Sequence, residues 1–267
     1  MKKSILIICA VLTTFSLTAL GYMKWNDKAL DHDGTSCAKA VLVHEEVENA
    51  KSKKADLDLV YHIDSRFIWN ITKEDLHKAK SITDIVPKKA TQSLVSYSEV
   101  KVAVLGEENE ISETGDHEVL NDAQRKLLRS TDYSTNFHVS ARCKQKNEVT
   151  GALEDYHLVY YITIVPEQEA SYENGPEALI EYLRENTKDQ TASIEEYKLQ
   201  PGRYCFTVLK DGTIANVKLE STSGYHNIDL SLVELLSAMP GKWVPATNAK
   251  GEPVDQELIF FFGKQGC

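Results

Sequence analysis

The sequence predicts an α+β fold: two folded regions behind an export segment. Three observations carry this. The last hundred residues follow the order α-β-β-α-β, which builds a small antiparallel sheet with helices on one face. Residues 37–167 interleave alternating apolar runs with short amphipathic stretches, the mark of a separate α+β domain. The chain opens on two lysines followed by a long uncharged apolar run.

That opening defines residues 1–24. Lys2 and Lys3 precede Ile5–Met23, nineteen residues without a charge, so the chain is expected to be exported or inserted. The run is long enough to span a bilayer as a signal-anchor helix, with Tyr22 and Trp25 suited to the water interface. Ala19-Leu20-Gly21 is also a small-x-small cleavage site, and a signal peptide is the alternative. Either outcome puts the bulk of the chain in the periplasm. Residues 25–36 read as a linker. Thirty basic and forty acidic residues give a net charge of −10, which argues against nucleic-acid binding and against docking to anionic lipid.

In the 37–167 region, Leu57, Leu59, Tyr61 and Ile63 alternate as a strand. Thr72-Lys73-Glu74-Asp75 opens a helix that carries Leu76, Ala79, Ile82 and Ile85 up to Pro87. Val100, Val102 and Val104 make a strand, and Leu120, Ala123 and Leu127 line a helix starting near Asn121-Asp122. Phe137–Cys143 and Leu158–Ile164 alternate as two strands of a hairpin around Asn147–Gly151. Pro166–Gly175, polar and bounded by Pro and Gly, is the expected domain boundary.

Residues 168–267 begin with a helix at Gly175-Pro176 that buries Leu179, Tyr182 and Leu183. Tyr204, Phe206 and Val208 alternate with Cys205, Thr207 and Leu209 in a strand ending at a tight Asp211-Gly212 turn. Ala215, Val217 and Leu219 share one face of the next strand. A helix opens at Asp229 as its cap and runs Leu232, Leu235, Leu236, Met239 along one stripe. The last strand, Leu258-Ile259-Phe260-Phe261-Phe262, is apolar on both faces. Such a run suits a central strand buried on both sides or an edge that invites another strand, and pattern leaves both open.

The ordered set Asp211-Gly212, Val217, Ser221, Ser223-Gly224, Asp229, Met239-Pro240, Trp243-Val244-Pro245-Ala246, Gly251 and Pro253-Val254 resembles the C-terminal domain of TonB proteins over about residues 170–263. The resemblance implies a periplasmic adaptor at the inner membrane of a Gram-negative bacterium. Its final strand would be a sheet edge, where a segment of a TonB-dependent outer-membrane receptor adds by β-augmentation. The partner-binding residues so implied are Leu258, Ile259, Phe260, Phe261 and Phe262. Energy transduction for transmembrane transport would further require ExbB and ExbD at the anchor. Two departures count against that coupling: Ile5–Met23 holds no histidine, and no Pro-rich spacer follows it. The alternative is a cleaved periplasmic interaction module that energises nothing.

The TonB-like sheet order also places the start of the first strand beside the end of the last, which implies a disulfide between Cys205 and Cys267 and leaves Cys37 to pair with Cys143. Reduced cysteine is the competing reading, and Cys143 shares its face with Phe137 and Val139 as a buried thiol would. No other chemistry assembles. The eight histidines show no HxxxH pair, Ser36–Lys39 spells SxxK without its partner motifs, and Glu107–Asp116 lacks the ligand spacing of a calcium loop. No enzyme, metal or cofactor is expected.

Overall fold

Two hydrophobic cores organise the protein, each lying under its own sheet. The computed structural model describes residues 57–106 and 109–264. The export segment, the linker, Ser36–Lys39, Cys37 and Cys267 lie outside the described residues. In chain order the strands and helices are β1 (Leu59–Asp64), β2 (Trp69–Thr72), α1 (Lys73–Lys78), α2 (Lys88–Thr91), β3 (Leu94–Leu105), β4 (Glu110–Gly115), α3 (Asp122–Arg129), β5 (Asn136–Lys146) and β6 (Leu153–Val165). They continue with β7 (Ser171–Tyr172), α4 (Pro176–Thr191), β8 (Gly202–Val208), β9 (Ile214–Ser221), α5 (His226–Ser237), β10 (Trp243–Val244), β11 (Ala246–Thr247), β12 (Pro253–Val254) and β13 (Gln256–Lys264). The fold is α+β, as the sequence predicts, and no described helix is long and apolar enough to cross a membrane.

The first core sits under a five-stranded sheet of order β2-β6-β5-β3-β4. All its pairings are antiparallel except β2 with β6. Val100, Val102, Phe137, Val139, Ala141, Leu158, Ile162 and Ile164 form the buried face, as their period-2 spacing requires. The predicted long helix after Thr72 is broken. Thr72 does cap α1 by accepting from the Asp75 N–H, but α1 stops at Lys78 and a single 3₁₀ turn, Ile82–Asp84, follows. The Asp84 carboxylate takes the N–H groups of Lys80 and Ser81, and the Ile82 N–H goes to the Glu118 carbonyl. Those donors are diverted from a helix ladder, while Leu76, Ala79, Ile82 and Ile85 still reach the core. In α3, capped by Asn121, the inward residues are Gln124 and Leu128, and Ala123 faces solvent. The Gln124 side chain bonds the Val100 carbonyl, which fixes the helix rotation.

The second core lies between α4, α5 and a four-stranded sheet of order β1-β13-β8-β9, entirely antiparallel. The C-terminal order α4-β8-β9-α5-β13 matches the predicted α-β-β-α-β. Three expectations are corrected. The strand holding Leu59, Tyr61 and Ile63 was expected in the preceding domain; it is β1, and it pairs with β13 from Leu59↔Lys264 to Asp64↔Ile259. The connection after β8 is not a two-residue turn. It spans Leu209–Thr213, with the Gly212 N–H closing onto the Leu209 carbonyl at φ 81°. A Cβ on Gly212 would lie 2.5 Å from the Trp243 carbonyl oxygen, so close backbone approach as well as φ demands glycine there.

The third correction concerns Asp229. Helix α5 starts at His226, so Asp229 lies within its first turn and does not cap it. Its carboxylate is buried and accepts from the Tyr204 hydroxyl at 2.6 Å, the Thr222 hydroxyl at 2.5 Å and the Ser223 N–H at 2.9 Å. Burial alone would raise its pKa, but these donors outweigh burial and hold it below the usual Asp range. The carboxylate thus ties β8, the loop after β9 and α5 into one corner.

The expected linear boundary at Pro166–Gly175 therefore does not divide the cores cleanly, and the described residues fall in one compact unit. The five-stranded sheet module is inserted between β1 and the rest of the second core. Where the chain enters and leaves that module, Ser65 Oγ donates to Glu169 Oε2 at 3.1 Å. Glu169 also accepts from Gln256 Nε2 at 2.8 Å, and Gln168 bridges Thr247 through both backbone groups.

A fragment beginning at residue 168 lacks β1 and uncovers Tyr61's place in the core. We expect it to unfold at lower urea concentration, and less cooperatively, than the chain from residue 57. Within the full chain, Tyr61→Ala should cost about 3 kcal/mol in urea unfolding. Asp229→Asn should cost about 2 kcal/mol at neutral pH. Because the Asp229 pKa is depressed on folding, its contribution is present above the ordinary Asp pKa of about 3.9 and fades as pH falls through the lower folded value. The gap between wild type and Asp229→Asn should close over that acidic window.

Candidate functional site

The five residues expected at a binding edge are instead the middle of a sheet. Leu258, Phe260 and Phe262 enter the second core beside Tyr204 and Tyr61. Ile259 is buried on the opposite face. Phe261 lies on that same outer face between His62, stacked at 6.3 Å, and Arg203, whose guanidinium sits 5.9 Å from the ring. The backbone of β13 is paired to β8 on one side and β1 on the other. A strand apolar on both faces is what a doubly paired, doubly covered position requires, which is the central-strand alternative that the pattern left open.

The edge of this sheet is thereby moved one strand outward. Among the described residues β1 pairs only with β13, so its far side is the sheet edge. Beside that edge runs a groove of about 600 Å³ between β1 and α4, lined by Leu57, Leu59, Tyr61, Arg184, Lys188 and Thr191 together with Asp58 and Glu185. Leu57, Leu59 and Tyr61 form the apolar part of its floor, and its helix wall carries Arg184, 3.6 Å from Glu181, and Lys188, 3.5 Å from Glu185, both exposed pairs that water screens. Arg184 lies over the Tyr61 ring at 5.3 Å, and the Tyr61 hydroxyl bonds Thr187 Oγ1 at 2.9 Å, so the floor is held in place by α4. The alternation Leu57–Ile63 announced a strand in the sequence. Nothing local announced that its partner lay two hundred residues on.

The other sheet ends differ in how they meet solvent. Edge strand β4 bears Glu110 and Glu113. Edge strand β9 is kinked at Asn216, with φ 55°, and bears Lys218 and Glu220. Charges and bulges of this kind discourage a further strand. The Glu107–Asp116 stretch weighed as a calcium loop is partly this β4 edge, where Glu110 is bound by Lys101 and by His138 at 3.1 Å.

One polar cluster lies against the outer face of the second sheet. Arg66 grips Glu220 with both guanidinium ends, at 2.7 and 2.5 Å, and reaches Glu257 at 3.2 Å. Glu220 is held below the usual Glu range, chiefly by its hydrogen bond to Arg66, and Arg66 is correspondingly raised. The Cys205 thiol, fully buried beside these carboxylates, is pushed up to about 12 by burial and then by Glu257. Sγ and the two carboxylates lie within 4.8 Å of one another, a spacing that a cation could bridge. Here the guanidinium already supplies the positive charge, and a thiol kept protonated is a poor metal ligand. Cys205 and Cys143 are both buried free thiols. Cys267 and Cys37, their expected disulfide partners, lie outside the described residues.

Trp243 packs against Phe206 at 5.6 Å and Tyr172 at 5.7 Å as core. No family model, no curated protein and no solved structure matches this chain.

Arg66 sits where the inserted module joins the second sheet, so Arg66→Met should leave two carboxylates facing a buried thiol. The expected loss is about 1 kcal/mol at neutral pH, modest because water screens the pair. Glu220's depressed pKa makes this contribution present above the ordinary Glu pKa of about 4.3 and lost as pH falls through the lower folded value. Urea unfolding of wild type and variant at neutral and acidic pH reads both effects.

Proposed function

We propose that this protein is an exported, TonB-like adaptor that captures an extended segment of a partner by strand addition, with β1 as the receiving edge. The observation that carries this reading is the unpaired side of β1 lying along the β1–α4 groove. An added strand gains main-chain hydrogen bonds worth about 0.5–1.5 kcal/mol each, and its alternate side chains enter the groove. Leu57, Leu59 and Tyr61 select apolar side chains, and Arg184 and Lys188, held only by exposed i,i+3 pairs with Glu181 and Glu185, exchange those partners for a carboxylate of the added strand. The partner class is a segment of a TonB-dependent outer-membrane receptor, as the ordered C-terminal motifs imply. ExbB and ExbD enter only if the N-terminal segment is retained as an anchor.

The absence of a histidine in Ile5–Met23 and of a Pro-rich spacer after it favours a second reading, a periplasmic module that binds without transducing energy. The N-terminal residue of the mature protein separates the two. A start at Met1 or Lys2 in the membrane fraction supports the anchored adaptor, and a start near Tyr22 in soluble periplasm supports the free module.

The binding claim is tested with synthetic peptides of receptor N-terminal segments titrated into the full-length chain. Amide hydrogen exchange should slow in Leu59–Asp64. Replacing both Arg184 and Lys188 by Glu should weaken binding about tenfold or more, since one tenfold step is about 1.4 kcal/mol. Protection appearing at β9, or binding indifferent to the double replacement, would show that β1 is not the receiving edge.

A further inference from the structure

The five-stranded sheet has an edge of its own that no described strand covers. Strand β6 runs thirteen residues, but β2 pairs only with Ile162–Val165 at its end. The preceding positions, Leu153–Tyr161, pair with β5 on one side and with no described strand on the other. This open stretch has no bulge like that of β9, and its charge lies at one end rather than along the strand as in β4. It contains no Pro, no Lys and no bulge, and its only carboxylates are Glu154 and Asp155 at one end. Large apolar groups are exposed along it: Leu153, Tyr156, Val159 and Tyr161 on the strand, with Ile68 and Trp69 beside its far end.

The open stretch has fixed limits. At one end β2 closes it at Ile162, and at the other the chain turns back through Asn147–Ala152, where the Asn147 N–H bonds the Ala152 carbonyl. The open stretch between those limits is nine positions long, Leu153–Tyr161. A second β6, running antiparallel, covers the whole stretch when the pair is centred on the midpoint His157.

We infer that β6 pairs with β6 of a second copy of this chain, joining two five-stranded sheets into one continuous ten-stranded sheet. In that register Asp155 faces Val159 of the other copy, Glu154 faces Tyr160, Leu153 faces Tyr161 and His157 faces itself. No carboxylate opposes a carboxylate, although each copy is strongly acidic. The exposed Val149 in one copy's turn comes to the end where Ile68 and Trp69 of the other are exposed, so apolar surface meets apolar surface at both ends. Lys144 pairs with Asp155 within its own chain at 2.7 Å, but the pair is exposed and leaves the carboxylate able to act on the residue opposite it. A strand pairing of this kind is independent of the β1 groove, which belongs to the other sheet.

Sedimentation equilibrium of the full-length chain over a concentration series tests this, with two substitutions at one exposed position. Val159→Glu sets a carboxylate against Asp155 of the other copy and should raise the dimer dissociation constant about tenfold or more, as like charges directly opposed destabilise a strand pair. Val159→Lys sets an ammonium against the same Asp155 and should leave the dimer intact. A register check uses a short bismaleimide: His157→Cys should cross-link between copies, whereas Asp155→Cys, displaced from its own copy by the antiparallel geometry, should not. A chain that stays monomeric at every concentration overturns the inference. So does a dimer that responds equally to Glu and Lys at position 159, or one that cross-links at 155 in preference to 157. Melting temperatures equal to wild type confirm that the variants fold, and the cross-linking pair decides the outcome if either Val159 variant does not.

Discussion

The pairing of β1 with β13 is the constraint on which the rest of this architecture depends. It places Leu59 beside Lys264 and Asp64 beside Ile259, and so joins the two ends of the described chain. A strand like Leu258–Phe262, apolar on both faces, would be an aggregation hazard with one edge bare. Covering that edge removes the hazard and brings Tyr61 into the core against Phe260 and Phe262. The same pairing makes the second core discontinuous in sequence. Everything between Ser65 and Glu169 has to leave the sheet and return to nearly the same point.

That return is marked by polar contacts. Ser65, Glu169 and Gln256 form one hydrogen-bonded set, and Arg66 clamps Glu220 and Glu257 next to it. The Ser134 hydroxyl of the inserted module accepts from the Glu257 N–H at 2.8 Å. The Phe67 N–H reaches Thr163 Oγ1, and the Phe67 ring meets Tyr161 at 5.4 Å. Directional groups at such a junction fix where the module leaves the sheet, which non-directional apolar contact would not do. The buried, protonated Cys205 thiol behind the clamp then acts as a small apolar filler.

The proposed binding surfaces of this chain are both sheet edges. The outer strands β4 and β9 are defended by charge or by a bulge. Among the described residues, β1 and the stretch of β6 that β2 does not cover are open, and they differ in what borders them. The β1 edge runs along a groove with cations on one wall, which suits a peptide of defined charge. The β6 edge is flanked by exposed aromatic and aliphatic groups and is limited at both ends, which suits a copy of itself. Each surface belongs to a different sheet, so recognition of a partner and association of two copies need not compete.

The sequence by itself determined the elements whose cause is local. Period-2 alternation gave β3, β5, β6 and β8. Asn121 fixed the start of α3, Pro176 that of α4, and the α-β-β-α-β order of the second core was legible throughout. Local signals failed where a distant group captured the backbone or side chain. The Asp84 carboxylate and the Glu118 carbonyl broke the helix after Thr72, and donors from β8 and the loop after β9 drew Asp229 into the interior of α5. Which strand forms the edge of the second sheet could not be read at all. An apolar strand carries the same pattern whether its edge is bare or paired, because alternation reports which faces are covered and says nothing about the hydrogen-bonding direction in the sheet plane. Only the tertiary structure decided that β1 fills that position, since the pairing joins residues two hundred apart and leaves no periodic trace in either strand.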